Sequence, residues 1–562
     1  MKKFLPTLIA IFLIILVVIG LVGGKAYEKY SYSKETMDMN EYYSLSGADE
    51  VAIVLQNEKI DTKAKLIEGN VYLDFDSVQE LLNDRFYLDN NEKWLIYTTP
   101  TELIKSQLGS SSYDIAGEEK VTSYPITVVR DDTVYVALEY VKLYTNFSYE
   151  YFENPSRIQL RTEWGEKTTA TIKKNTAVRY RGGVKSPILR EISSGEEVTV
   201  LEELDTWVKV KTSDAIMGYV ETKFLSAQST VEELPVTDYV EPEYTSQVRD
   251  HKINMGWHAI YAQAGNDTLD EVTANVGSMN VISPTWFSLT DNNGNYTSFA
   301  SASYVEKAHA KGLEVWPLLD NFDANVSTLE IMSYTSRRLA LEDSLINDLK
   351  AVGADGINLD FEQIAYEAGE HYVEFIREMS IRCREEGLVL SVDNYVPNAS
   401  SEHYNRKEQG VVADYVIIMG YDEHWGSGGV AGSVASIGYV LDGIETTLEE
   451  VPAEKVINAI PFYTRVWKTV GGSVTSEALG MDAAANFVSQ NGVETYWDAE
   501  CCQNYGEIQI GDTFYQVWLE DAESIDAKLD VMEAHDLAGV AEWQLGFENS
   551  QIWSIIDNYM LE

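Results

Sequence analysis

Between residues 355 and 362 the chain reads Asp-Gly-Ile-Asn-Leu-Asp-Phe-Glu, with polar Asn358, Asp360 and Glu362 alternating with apolar Ile357, Leu359 and Phe361. A period of two is the period of a β-strand, so the three polar side chains share one face and the apolar ones the other. The apolar face calls for a covering layer of helices, while the polar face converges on a common site. A closed parallel barrel has this arrangement at the strand ends where its chemistry is done. Carboxylates as close as Asp360 and Glu362 raise each other's proton affinity, so one can stay protonated near neutral pH and serve as a general acid. Taken alone, the octet also fits an acidic strand end that is merely solvated.

The residues around it extend the pattern. From about residue 250 onward, eight β-rich runs alternate with helical stretches: Ile253–Trp257, Val281–Phe287, Leu313–Leu318, Asp355–Glu362, Leu388–Asp393, Tyr415–Tyr421, Val456–Pro461 and Gly539–Trp543. Eight strands with intervening helices predict a (β/α)₈ TIM barrel over 249–562. The longer gap, 463–521, predicts a small insertion.

At 562 residues the chain exceeds one ordinary domain. Met1-Lys2-Lys3 precedes an uncharged stretch from Phe4 to Gly24, long enough to span a bilayer. We read residues 1–24 as an uncleaved transmembrane anchor; a cleavable signal peptide, leaving a secreted protein, is the competing reading. Both place the remainder outside the cytoplasm. The formal net charge of −48 excludes nucleic acid as a partner and predicts repulsion from anionic wall polymers. The three cysteines, Cys383, Cys501 and Cys502, give no disulfide framework and no metal-ligand spacing, although adjacent Cys501 and Cys502 admit a vicinal disulfide. His424 reads as a loop residue, and neither a metal nor a cofactor is expected.

Residues 25–47, polar and without apolar periodicity, read as a stalk. Val71-Tyr72-Leu73 with Val78, Leu81 and Leu82 recurs 63 positions later as Val134-Tyr135-Val136 with Val141, so each copy predicts a strand, a short helix and a closing strand pair. This duplicated α+β region, 48–163, resembles the amine-oxidase N-terminal-like domain of bacterial surface proteins, without its copper. Ala177-Val178-Arg179, Gly195–Val198, Trp207–Val210 and Gly218-Tyr219-Val220 occur in the order of a bacterial SH3-like domain, a small all-β barrel over 166–228. With ten basic and nine acidic residues it is the one module not repelled by an anionic wall. Its expected role is attachment to cell-wall glycan or peptide; a plain spacer is the alternative. Residues 229–248, with Pro235 and Pro242, read as a linker.

The octet resembles the signature of glycoside hydrolase family 18, Asp-x-x-Asp-x-Asp-x-Glu, at Asp355, Asp360 and Glu362. Asn358 replaces the second Asp, as in the spore-cortex and envelope N-acetylglucosaminidase-like members. Met419-Gly420-Tyr421-Asp422, Pro461-Phe462-Tyr463-Thr464-Arg465 and Ala541-Glu542-Trp543 resemble the family's motifs on strands six, seven and eight. The resemblance implies substrate-assisted catalysis, for which family 18 is an established example. Glu362 would protonate the glycosidic oxygen, the substrate's 2-acetamido carbonyl would attack, and Asp360 and Tyr421 would orient and stabilise the oxazolinium. Asn358, Asp422, Trp543, Arg465, Trp257 and Trp286 are expected to bind substrate, with Tyr395 and Trp425 further cleft-lining candidates. Asp355 and Gly356 belong to the motif's structural part. The expected partner is an N-acetylglucosamine-containing polysaccharide, peptidoglycan first and chitin second. A non-catalytic glycan-binding protein is the alternative of a different class.

Overall fold

The computed structural model describes residues 4–235 and 237–561; the charged start Met1-Lys2-Lys3, Val236 of the expected linker and Glu562 lie outside them. Two compact units emerge, one comprising Met1–Phe86, Leu108–Ser112 and Lys120–Glu241, the other Tyr87–Gln107, Tyr113–Glu119 and Pro242–Glu562.

In the first unit, helix Leu5–Tyr30 is long and apolar enough to cross a membrane. Residues 33–37, expected within a stalk, instead run alongside residues 184–188 of the SH3-like module, bridging to the first residue of strand Ile188–Ile192. The Ser33 and Met37 amides donate to Val184 O and Ile188 O at 2.8 and 2.9 Å, and the Ile188 amide donates to Glu35 O at 2.8 Å. An edge strand presents unpaired backbone groups, and these residues satisfy them. Tyr42 and Tyr43 then anchor through their hydroxyls to Met217 O and Ala215 O. The start of the expected linker is likewise structured: Ser229–Glu233 pairs with Gly165–Thr171 as the last strand of that module's sheet.

The internal repeat is visible in the first unit. Strands Asn70–Asp74 and Thr133–Ala137, one from each copy, pair antiparallel, and each leads into a short helix. The copies then diverge. The second copy's hairpin, Ser148–Phe152 with Arg157–Arg161, joins the same seven-stranded sheet. The first copy's strands, Phe86–Asp89 and Trp94–Thr98, open a separate five-stranded sheet, most of which packs in the second unit.

Specific polar partners hold that sheet to two helices of the second unit, Thr335–Val352 and Gly369–Glu386. Asp89 accepts from the Thr335 amide and hydroxyl at 2.8 and 2.6 Å, capping a helix that has no side-chain cap of its own. The Thr98 hydroxyl donates to Glu374, and Arg338 donates to the Tyr87 hydroxyl and, through two bonds of 2.7 and 2.9 Å, to Glu378. Glu342 is buried beside Glu378 with no donor reaching either of its oxygens. Burial, and then the charge of Glu378, push its proton affinity well above the ordinary carboxyl range.

A carboxyl whose pKa is raised on folding stabilises fully at pH below its unfolded value, about 4.3, and that contribution is lost as pH rises toward the folded value. Glu342→Gln keeps a donor toward Glu378 and cannot ionise. Its unfolding free energy should therefore fall less steeply above pH ~4.3, by up to ~1.4 kcal/mol per pH unit. Denaturant melts at several pH values check this; parallel curves for the two proteins would show that Glu342 is not protonated in the folded state.

The rest of the second unit is built on a ring of parallel strands, labelled here β1 (Ile253–His258), β2 (Val281–Pro284 and Phe287–Leu289), β3 (Glu314–Val315 and Leu318–Asp320), β4 (Gly356–Asp360), β5 (Val389–Tyr395), β6 (Tyr415–Met419), β7 (Val456–Pro461) and β8 (Gly539–Trp543). Each pairs with the next, and β8 pairs with β1 through Ala541 and Met255, so the ring closes. Alternation sorts the side chains. Met255, Trp316, Leu318, Val389, Ile417, Ile457 and Ala541 fill the interior, whereas Ile357, Leu359, Leu390, Val392, Val416 and Ile418 face the helices. Between β7 and helix Ala522–Ala534 stands the insertion, a five-stranded antiparallel sheet with helix Met481–Asn491. Below β6, the Gln247 amide donates to Asp414 at 2.6 Å, tying the end of the expected linker to the ring.

Candidate active site

Gly356 sets the spacing of the site. A Cβ there would lie 2.6 Å from Val389 O and 2.9 Å from the Trp316 ring, so only glycine lets β4 start this close to β5 and β3. Asp355, just before it, accepts from the Val315 amide at 2.8 Å and meets His309 Nε2 at 2.8 Å. That pairing fastens the start of β4, at the opposite end of the strand from the converging carboxyls.

Along β4, Asn358 and Asp360 point into the ring because Ile357 and Leu359 belong to the outer core. The Asn358 amide is fully used: its oxygen accepts from Trp257 Nε1 at 2.9 Å, and its nitrogen donates to Ser391 Oγ at 3.0 Å and Asp393 Oδ1 at 2.8 Å. Trp257 is itself buried, edge-on to Trp543 at a centroid distance of 5.9 Å. It supports the site from within the ring rather than standing in the open cleft.

Glu362 lies two residues beyond the end of β4. Its backbone is clamped by Asn321, whose side chain accepts from the Glu362 amide and donates to its carbonyl, both at 2.9 Å. The Tyr395 hydroxyl donates to its carboxylate at 2.7 Å. Burial raises the proton affinity of Glu362, the Tyr395 bond opposes that rise, and the negative charges of Asp422 and Asp320 add to it. The net effect is upward, in the direction a general acid requires. A cavity of about 550 Å³ opens beside it, lined by Asn321, exposed Phe322, Thr328, Glu362 and Gln363.

Asp360 is held far more strongly in the protonated direction, first by burial and then by Asp393, Glu362 and Asp320. Tyr421, just past β6, is enclosed by the same group: burial raises its pKa, as do the charges of Asp360, Asp393 and Glu362. Beside it the Tyr463 hydroxyl, on the first strand of the insertion, donates to Asp422 at 2.5 Å. Arg465 donates to Ser476 at 3.2 Å, and its Nε is buried without a partner.

The structure thus brings Asn358, Asp360, Glu362, Tyr421, Asp422, Trp257 and Trp543 to one end of the ring, with Arg465 at its edge. Trp286 stands apart. It is buried in the outer core, donating to Asn266 at 2.8 Å and packing against Tyr304. It falls in the break between the two segments of β2, where the alternation that would aim it inward is reset. Trp425 is exposed on the loop after β6, and His424 Nδ1 meets Ser433 O at 2.8 Å.

Sequence reasoning passed over Asp393, Asp320 and Asn321 and gave Tyr395 only a lining role. The signal was available: Ser391, Asp393 and Tyr395 repeat on β5 the polar spacing of two that marks β4. Tyr395→Phe is expected to move the alkaline limb of any Glu362-dependent activity to higher pH, because the lost hydroxyl favoured the carboxylate. It should also weaken that activity by about 1.5–3 kcal/mol, the worth of a bond to a charged group. A limb displaced to lower pH would show that Tyr395 does not donate to Glu362.

Sequence comparison gives this geometry a context. The profile described as Glycosyl hydrolases family 18 matches residues 216–548, and that described as Bacterial SH3 domain matches 174–226. The uncharacterized glycosylase YvbX of Bacillus subtilis is 25% identical over 291 residues, covering 50% of this chain and 84% of that protein. The cortical fragment-lytic enzyme of Bacillus subtilis is 28% identical over 249 residues, 42% of this chain but only 57% of the relative. Among solved structures, the Bacillus cereus spore cortex-lytic enzyme SleL superposes with a TM-score of 0.50 at 21% identity, covering 58% of this chain and 78% of its own, a likeness of fold.

Proposed function

Because the chain belongs to glycosyl hydrolases family 18 and is therefore a glycoside hydrolase, we propose that it cleaves N-acetylglucosaminyl linkages with retention on a (β/α)₈ frame, using the substrate's own acetamido group as nucleophile. Glu362 gives its proton to the glycosidic oxygen as the acetamido carbonyl oxygen attacks the anomeric carbon. The bond to the leaving sugar breaks, and an oxazolinium forms. Asp360 accepts from the acetamide N–H and balances the positive charge, while the Tyr421 hydroxyl holds the carbonyl. Glu362, now ionised, takes a proton from water, which opens the ring with net retention. Trp543 offers an indole face to the sugar at the cleaved position, with Trp257 beneath it.

The observation that carries this reading is the state of Glu362, clamped through its backbone by Asn321, held by Tyr395 and shifted toward its protonated form. Peptidoglycan is the preferred polymer, supported by likeness to the cortical fragment-lytic enzymes and by the SH3-like module. The net charge of −48 favours neutral chitin as the second choice. Helix Leu5–Tyr30 would hold the protein at the outer face of the cytoplasmic membrane. A wall ligand of the SH3-like module would have to use a face other than the edge along which residues 33–37 run.

The test is reducing-end release by the full chain in detergent. A fragment starting near residue 249 would strip the helices Thr335–Val352 and Gly369–Glu386 of the sheet that caps them. Peptidoglycan and chitooligosaccharides are compared with the same polymers after chemical de-N-acetylation. Release confined to the acetylated forms is expected, and the better substrate identifies the polymer. Equal release from de-acetylated glycan would overturn the acetamido mechanism. Tight binding without release would favour the glycan-binding alternative.

A further inference from the structure

Asp360 and Asp393 stand side by side on adjacent strands. Asn358 pairs with Ser391 and Leu359 with Val392 in the parallel register; Asp360 and Asp393 follow directly on the two strands, and each lies within electrostatic reach of the other. Both turn inward, since Leu359 and Val392 lie in the outer core, and they are only 6% and 1% exposed. Asp393 Oδ1 is taken by the Asn358 amide at 2.8 Å, but Asp393 Oδ2 and Asp360 Oδ1 are buried with no partner. The titratable groups that act on the pair are Glu362, Asp320 from β3, Tyr421 from past β6, and Tyr372 and Tyr404 from the covering helices. None of these is a cation. Two adjacent carboxyls removed from water, with no counter-ion, cannot both be ionised.

Resting on the hydrolase reading above, we infer that Asp360 and Asp393 hold a single proton between them, so that Asp393 supplies from β5 the acidic partner that position 358 lacks on β4. Asn358 and Asp393 are then complementary. The Trp257 indole can only donate, so it pins the amide oxygen and turns the amide N–H groups toward Asp393 and Ser391. A carboxylate at 358 would instead confront Asp393 Oδ1. At rest the amide bond favours charge on Asp393 and the proton on Asp360. When the substrate's acetamide N–H is donated to Asp360, the shared proton passes from Asp360 to Asp393, and the site neither gains nor loses one. Asp393 is thus a positioning residue acting through Asp360.

The test compares the wild-type full chain with Asn358→Asp, Asp393→Asn and the double variant carrying both. Asp393→Asn should lower kcat at least tenfold with KM changed less than threefold, and Asn358→Asp should move the acid limb to higher pH by adding a third carboxyl. The double variant, which restores an acid pair on β4, should recover kcat to within threefold of wild type with the acid limb returned. Independently of turnover, the difference infrared spectrum near neutral pH should show a protonated carboxyl whose band is shifted or lost in both Asp393→Asn and Asp360→Asn. A double variant no better than the worse single variant, or a carboxyl band unchanged by Asp393→Asn, overturns the inference. If the wild type cleaves no glycan, the hydrolase reading falls and the infrared comparison alone decides whether the proton is shared.

Discussion

Glu362→Gln is expected to reduce glycosidic cleavage by about three to four orders of magnitude, the upper part of the range for general acid–base catalysis. The expectation is large because, in the mechanism proposed above, this one carboxyl serves both half-reactions, protonating the leaving oxygen and then deprotonating water. Glutamine preserves its size, leaves the backbone clamp from Asn321 intact and can still meet the Tyr395 hydroxyl. Substrate affinity should therefore survive. Reducing-end release and calorimetric binding, measured on the same preparation with whichever polymer the wild type prefers, separate the two effects. A variant keeping more than a tenth of wild-type activity would transfer the acid role to another carboxyl, with Asp422 and Asp320 the nearest in electrostatic influence.

The largest effect on stability is expected at the far side of the same unit. Arg338 is completely buried and forms a two-bonded pair with Glu378, also buried, while donating to Met332 O and the Tyr87 hydroxyl. Arg338→Met keeps most of the aliphatic volume and strands Glu378 beside Glu342. Breaking a buried pair from one side costs about 3–5 kcal/mol, because the remaining charge cannot be rehydrated. In a unit of this size that corresponds to a fall in Tm of roughly 5–10 °C. Thermal melts of the two proteins under the same conditions measure the loss. A loss below ~1 kcal/mol would mean that water reaches Glu378. The Tyr87 contact gives the substitution a second expected consequence: residues 87–107 should become susceptible to proteolysis before the ring does.

What could be read along the chain was whatever repeats locally. All eight parallel strands are recognisable as short β-rich, largely apolar runs separated by helical stretches, as expected of strands buried on both faces, and β7 and β8 fall at their expected limits. The octet put Asn358 and Asp360 on one face of one strand, since that follows from the backbone alone, whereas Glu362, expected on the same strand, falls two residues past its end. The family motifs located Tyr421, Asp422 and Trp543, and the structure brings them to the same end.

Other features depend on which strand lies beside which. Asp393 acquires meaning only through the β4–β5 register, which places it next to Asp360 and under the amide of Asn358. Trp286 has the composition of a cleft residue, yet a two-residue break in β2 turns it into the outer core. Residues 33–37 carry no apolar period because their pairing is through the backbone, which any side chain permits. The two copies of the repeat have similar sequences but place their hairpins in different sheets, because only the first copy offers Tyr87, Asp89 and Thr98 to the helices they bind. Local pattern is a property of neighbours in the chain, and it determined the strands, the shared face of Asn358 and Asp360 and the carboxyl that closes the octet. Partnership across space is set by register and packing, and only the closed ring decided which carboxyl lies against which.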